Sequence, residues 1–326
     1  MSTDGTIARE PPAGPVRPMP RWRAWLLATR PKTLLAAVAP VAVGTAVAWE
    51  RLHGTGLFDP LAALACLATA MLLQVGANLA NDYFDFLHGA DTEERIGPTR
   101  AVQAGLLSPG AVGIGTIAVF ALAFLGGVYL ASVAGWPLVV IGLASIAAGV
   151  GYTAGGRRSL GYLGLGDLFV FVFFGPVAVM GTAFVQLREW LPQAWWASVP
   201  VGCLAVAILV VNNYRDADTD RASGKRTLAV RFGRGFARLE YVAMLAIAFL
   251  LPTVRFWLGI EGPWALLAWL SLPLAISPLR MILAGRADRV GIERVDGPAL
   301  NAALGDTARL TTAFGLLYAL GIVLPG

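Results

Sequence analysis

Asn78-Leu-Ala-Asn81-Asp82-Tyr83-Phe84-Asp85 closes a run of almost wholly apolar residues, and Gly89 and Asp91 come after it. A second stretch, Asn212-Asn213-Tyr214-Arg215-Asp216-Ala-Asp218-Thr-Asp220, closes another such run. Both carboxylate clusters therefore stand where a membrane helix meets water, a place where ionisable groups are costly and usually functional. Carboxylates crowded together repel one another unless a cation neutralises them. Oxygen ligands of this kind suit Mg²⁺, which keeps some water and shares its other positions with substrate phosphates. Two Asp clusters at one membrane surface thus point to a metal-bridged diphosphate.

Helical spacing sharpens this reading. Gln74, Asn78, Asp82 and Asp85 fall at i, i+4, i+8 and i+11, and Asn212, Asp216 and Asp220 at i, i+4 and i+8, so each set shares one helix face. Gln74 and Asn78 would lie within hydrocarbon, where an unpartnered amide is expensive, so that face should look into a polar cavity. Helix-end capping needs one or two polar groups, not two stripes of paired Asn and repeated Asp. Basic residues accompany both clusters: Arg95 and Arg100 the first, Arg215, Lys225, Arg226 and Arg231 the second. Arginine forks match phosphate oxygens, although topogenic charge or contact with anionic lipid explains any one of them equally well.

Composition sets the class. The 326 residues are 57% hydrophobic and 14% charged, with a mean hydropathy of +0.67, whereas soluble chains carry roughly 25% charged residues. The chain reads as an all-α polytopic membrane protein. Apolar runs give nine expected spans, near 33–50, 58–80, 110–133, 136–154, 166–187, 195–213, 236–257, 263–284 and 305–325. Pro40 and Pro176 fall inside the first and fifth, which membrane helices tolerate. Residues 1–24, rich in Pro and Arg, read as a disordered basic tail, leaving 25–326 as one membrane domain. Ala46-Val47-Ala48 resembles a signal-peptidase site, but the stretch before its apolar run is too long for a signal peptide.

With a cytoplasmic N-terminus, all of the 25 basic residues except Arg51, Arg188 and Arg255 fall on inside segments. The positive-inside rule then puts both acidic clusters on the cytoplasmic face and the C-terminus outside. The basic surplus is thereby explained, and no nucleic-acid partner is expected. Recurrence of the clusters four spans apart hints at an internal repeat. Cys66 and Cys203 lie in apolar runs and read as buried thiols. A glycine-rich inside loop, from Tyr152 to Asp167, suits a flexible lid or a plain turn. The basic run around Arg280, Arg286, Arg289 and Arg294 reads as a solvated topogenic loop. No Walker loop, dinucleotide fingerprint or Ser/His/Asp pattern is present in the sequence.

Asn81-Asp82-Tyr83-Phe84-Asp85 with Gly89-x-Asp91-Thr92, Arg95-x-Gly97-Pro98 and Arg100-Ala101-Val102 resembles the first motif of the UbiA superfamily of intramembrane prenyltransferases. Arg30-Pro31-Lys32-Thr33-Leu34 resembles that family's first helix. Asn212-Asn213-Tyr214-Arg215-Asp216, Asp220 and Gly224-Lys225-Arg226-Thr227 resemble its second motif. The match is nearest to the branch acting on 1,4-dihydroxy-2-naphthoate. Arg157 and Arg158 replace a Pro-containing stretch, and Asp167 an expected Glu.

The resemblance implies a UbiA-like nine-helix bundle in a bacterial cell membrane. It also implies Mg²⁺-dependent transfer of a polyprenyl group from its diphosphate to 1,4-dihydroxy-2-naphthoate with decarboxylation, giving demethylmenaquinone. Asp82, Asp85, Asp91, Asp216 and Asp220 would hold metal, all but Asp91 being catalytic as well. Asn78, Asn81, Arg95, Arg100, Tyr152, Asn212, Asn213, Arg215 and Lys225 would bind substrate, and lipid would surround the bundle. Another aromatic acceptor, a CDP-alcohol phosphotransferase and a transporter are the alternatives. The second lacks its Asp-Gly…Ala-Arg signature here. The third would carry polar residues at mid-membrane on several helices, not at one surface.

Overall fold

The computed structural model describes residues 19–89, 97, 99–287, 293, 294 and 297–325. Thirteen α-helices follow one another among them: α1 Arg21–Ala28, α2 Pro31–Leu34, α3 Val38–Leu52, α4 Pro60–Leu87, α5 Pro109–Ala134, α6 Pro137–Gly151, α7 Leu160–Leu163, α8 Gly166–Val172, α9 Ala178–Leu187, α10 Pro192–Ser223, α11 Leu228–Trp257, α12 Pro273–Leu283 and α13 Gly297–Val323. The two-residue strands Arg286–Ala287 and Glu293–Arg294 pair antiparallel, where the sequence suggested only a solvated loop.

Local chemistry sets the helix starts. Asp59 accepts from the backbone N–H of Leu61 and Ala62, with Pro60 supplying the fixed φ of a first turn. Ser108 before Pro109 caps α5, and Thr227 caps α11. Gln186 donates to the Asp59 carbonyl at 2.7 Å and accepts from its N–H at 3.0 Å, tying the end of α9 to the start of α4.

Each of the nine expected apolar runs falls on helix. Six helices have the length and apolarity to cross a membrane: Pro31–Leu52, Pro60–Leu87, Pro109–Ala134, Gly166–Leu187, Pro192–Ser223 and Leu228–Trp257. A seventh span arises if the 3₁₀ segment Pro263–Ser271 and α12, bent by 49°, count as one. By length and composition, then, the described residues support six or seven spans; Pro137–Gly151 is shorter. The run expected as one straight helix over 263–284 is broken instead, because Pro273 removes a backbone donor at the bend. Pro176 likewise opens a π-type turn, Phe173–Val177, between α8 and α9. Upstream, α1 begins at Arg21; residues 1–18, most of the expected tail, lie outside the described set.

α10 is the central post. Nearly three quarters of its most apolar window is buried, at 72%, against 17% for α4 and 22% for α5, which present most of their surface outward. Its Ala, Val and Leu residues pack with α3, α9, α11 and α13 into the main core. A smaller cluster joins α3, α4, α5, α6 and α9, and a third seats α1 and residues 101–107 against α4 and α5.

Close helix approach depends on missing side chains, as is usual where lipid gives no hydrophobic drive for association. A Cβ on Gly44 of α3 would overlap the Val179 carbonyl oxygen and lie 2.8 Å from Thr182 Cβ. Gly44→Ala should therefore cost about 1–3 kcal/mol of stability through overpacking, read as a lower unfolding midpoint in detergent micelles. Gly127→Ala, with open space at its Cβ, should leave that midpoint within about 0.5 kcal/mol.

Candidate active site

The polar stripe on α4 does not face bulk water. Asp82 and Asp85 are 2% and 3% exposed, and Asn78 is buried as well. The four polar groups near the end of α4 meet three other pieces of chain. Asn78 donates to the Thr29 carbonyl at 3.0 Å, and Asn81 accepts from the Thr153 hydroxyl at 2.9 Å. Asp82 accepts from the backbone N–H of Ala101 at 3.0 Å and Val102 at 3.5 Å. Asp85 receives Arg100 at 2.7 Å, an ion pair whose two side chains are nearly inaccessible to solvent. The other Asp85 oxygen, Oδ1, is buried with no hydrogen-bond partner among the described residues.

On α10 the stripe behaves differently. Arg215, 1% exposed, forks onto both oxygens of Asp216 at 2.7 and 2.6 Å. It also donates to Asn212 at 2.6 Å and to Asn301 of α13 at 2.8 Å. Arg215 thus ties α10 to α13, where the sequence suggested a substrate contact. Asp218 points the other way, exposed and paired with Arg234 at 2.9 Å. Asp220 accepts Lys225 at 3.5 Å across the turn that ends the helix, and Gly224 makes that turn with φ +82°.

Lys225 joins the two clusters, lying within electrostatic reach of both Asp85 and Asp220. Burial alone would lower the Lys225 pKa; the carboxylates of Asp85 and Asp220 and the Tyr162 side chain outweigh it and raise the pKa above the usual lysine value. The ammonium is therefore charged at neutral pH. Asp85, Asp167 and Asp220 are also within electrostatic reach of Tyr152.

Beneath these groups lies a cavity of about 340 Å³. Arg30, Gln74, Asn78, Asn81, Tyr152 and Asn212 give it a polar end, while Leu130, Leu138, Ile141, Phe169, Phe173, Phe174 and Val185 make the remainder apolar. The expectation that the α4 stripe looks into a cavity thus holds for Gln74 and Asn78, and Asn81 joins them in the lining. Asp82, Asp85, Asp216, Asp220 and Lys225 are not among the lining residues and stand beyond its polar end. Asn213 is half-buried on α10; Asp91 and Arg95 lie outside the described residues.

Among the described residues no three Asp, Glu, His or Cys side chains converge as a ready metal cage. Mg²⁺ does not require one, since it binds through one or two carboxylates together with substrate phosphates and water. The unmatched oxygen of buried Asp85, with Asp220 near the same lysine, fits that kind of ion. Several participants had escaped the sequence reading. Arg30, left-handed at φ 54°, lines the cavity, and Thr153 and Asn301 hold site residues. Asn301 stands 86 residues from Arg215, so no local pattern could have announced it.

An apolar intramembrane cavity ending beside paired cations and carboxylates defines a membrane protein that handles an amphiphile with an anionic head. The model of the UbiA prenyltransferase family matches residues 25–293, and the chain belongs to that family. It is 39% identical over 311 residues to the 1,4-dihydroxy-2-naphthoate octaprenyltransferase of Escherichia coli (strain K12), spanning 93% of this chain and 96% of that one. To the enzyme of the same name from Mycobacterium tuberculosis it is 41% identical over 268 residues, 81% and 88% of the two chains. In fold it is similar to a UbiA homologue from Archaeoglobus fulgidus solved with GPP and Mg²⁺, with a TM-score of 0.62 at 16% identity over 92% of this chain and 99% of the other.

Arg100→Met should leave the Asp85 charge buried and unmatched, costing about 3–5 kcal/mol. The loss should appear as a lower unfolding midpoint of the protein in micelles. Adding Asp85→Leu to that variant should recover most of the stability and none of the activity.

Proposed function

We propose that this protein transfers a polyprenyl group from its diphosphate to 1,4-dihydroxy-2-naphthoate, with loss of the acceptor's carboxylate, as a step of menaquinone biosynthesis. The observation that carries the reading is Lys225, charged, 3.5 Å from Asp220 and within electrostatic reach of Asp85, beyond the polar end of the apolar cavity. The names of the relatives support the choice of acceptor.

In this reading the isoprenoid tail occupies the cavity and its diphosphate reaches Lys225. Mg²⁺ bound by Asp85 and Asp220 would supply positive charge to the departing diphosphate. Lys225, and Arg100 held by Asp85, add fixed cationic charge at the same place, where pre-set electrostatics count most. Departure leaves an allylic cation in the apolar chamber, shielded from water, until the electron-rich naphthoate ring attacks it. Asp82 and Asp216, whose oxygens also accept from backbone N–H groups and from Arg215, frame the site.

Prenylation by the membrane-embedded protein should stop with EDTA and return with Mg²⁺. Asp85→Asn and Asp220→Asn should each lower turnover at least about 100-fold, measured by product formation with several aromatic acceptors. Near-normal turnover in both variants would sink the metal reading, and stronger use of another acceptor would displace the naphthoate.

The site is placed on the cytoplasmic face, with the N-terminus inside and the C-terminus outside, on the strength of the basic-residue asymmetry. A cysteine near residue 5, in a background lacking Cys66 and Cys203, should react with an impermeant thiol reagent only after cell lysis. Labelling of intact cells would overturn this orientation.

A further inference from the structure

The loop between α6 and α8, legible in the sequence only as a lid or a turn, is strapped onto the loop that carries Lys225. Three consecutive residues make the strap. The Tyr162 carbonyl accepts from the Arg226 N–H at 2.9 Å, and the Leu163 carbonyl accepts from the Arg231 guanidinium at 2.7 Å. Gly164, at φ +75°, comes so close that a Cβ there would overlap the Arg226 carbonyl oxygen. The Tyr162 side chain, 5% exposed, lies under Lys225, with Nζ 5.4 Å from the ring centroid, within the range in which an ammonium is attracted to an aromatic face.

We propose that Tyr162 is a positioning residue for the prenyl-diphosphate donor, its ring face holding the Lys225 ammonium where it meets the diphosphate. The physical need is plain. Lysine is a compact charge on a flexible four-carbon stem, and the attraction of Asp85 and of Asp220, 3.5 Å from Nζ, restrains it by charge alone. A ring face attracts the ammonium without offering a competing anionic ligand, so the charge is steered and remains available. The backbone strap fixes the ring itself, since residues 162–164 and 225–226 cannot separate without breaking the Tyr162–Arg226 hydrogen bond. The effect should fall on the donor, because in this reading only the donor presents phosphates to Lys225.

The inference rests on the proposal that Lys225 meets the diphosphate, so the experiment tests the two separately. Full-length protein in membranes is assayed with farnesyl diphosphate and 1,4-dihydroxy-2-naphthoate, and KM is measured for each. Position 162 carries phenylalanine bearing zero, one, two or three ring fluorines, a series that keeps ring shape while weakening the negative face. Donor KM should rise stepwise, about tenfold across the series, with acceptor KM within twofold and inhibition by inorganic pyrophosphate weakening in parallel. Tyr162→Leu should resemble the trifluorinated variant, and Tyr162→Phe should restore most of the donor affinity. In a Lys225→Met background, where donor KM is already raised, fluorination should have no further effect. A flat donor KM across the series, with Lys225→Met still impaired, would overturn the role of Tyr162 alone. An unmoved donor KM in Lys225→Met would overturn the diphosphate role of Lys225 and this inference with it.

Discussion

A carboxylate held out of water must be answered inside the protein, and much of the structure around the polar end of α4 is the set of answers. Removing one partner of a buried ion pair costs several kcal/mol, so the polar stripe on α4 recruits whatever chain can satisfy it. Asn78 takes the Thr29 carbonyl, Asn81 the Thr153 hydroxyl, Asp82 the backbone at 101–102, and Asp85 the Arg100 guanidinium. Three segments far apart in sequence, around Thr29, residues 100–102 and Thr153, are thereby gathered round the end of one helix. The stripe that marks the site in the sequence is also the scaffold that assembles it.

The same accounting divides labour among aspartates that look equivalent in the sequence. Asp82 is engaged by two peptide N–H groups and Asp216 by both arms of Arg215. Asp85 keeps one oxygen unmatched among the described residues, and Asp220 pairs with Lys225 at 3.5 Å. In the proposed reading Asp85 and Asp220 take part in the chemistry, while Asp82 and Asp216 also brace the surrounding chain.

How much of this was legible follows the range of the interactions involved. Helix existence and the two stripes rest on apolar runs and i, i+4 spacing, which are local, and both were readable. The bend at Pro273 carried its own local signal in an X-Pro step, passed over because the apolar run is continuous across it. α1 likewise lay within reach: Pro20 precedes it, and Ala24 and Ala28, one turn apart, form its buried face. What could not be read is tertiary. No spacing rule connects Arg215 to Asn301 or Tyr162 to Arg226, and the separate fates of Asp82 and Asp85 depend on where residues 100–102 fold back. Arg215 shows the consequence most clearly, since a guanidinium beside an Asp motif suggests phosphate, whereas burial and four hydrogen bonds at 2.6 to 2.8 Å make it a tie between helices.

The apolar part of the cavity completes the electrostatic argument. Charge is concentrated at one end, so a cation generated there would meet few groups able to capture it further in. Phe169 and Phe173, stacked with centroids 6.0 Å apart, line that region together with Phe174; aromatic faces attract positive charge yet supply no lone pair for bond formation. The Ser145 hydroxyl, also in the lining, donates to the Ile141 carbonyl of its own helix at 2.8 Å, which ties it to the helix backbone. A chamber of this kind does not need to bind the allylic cation tightly. It has only to exclude water while the aromatic acceptor reacts at the polar end.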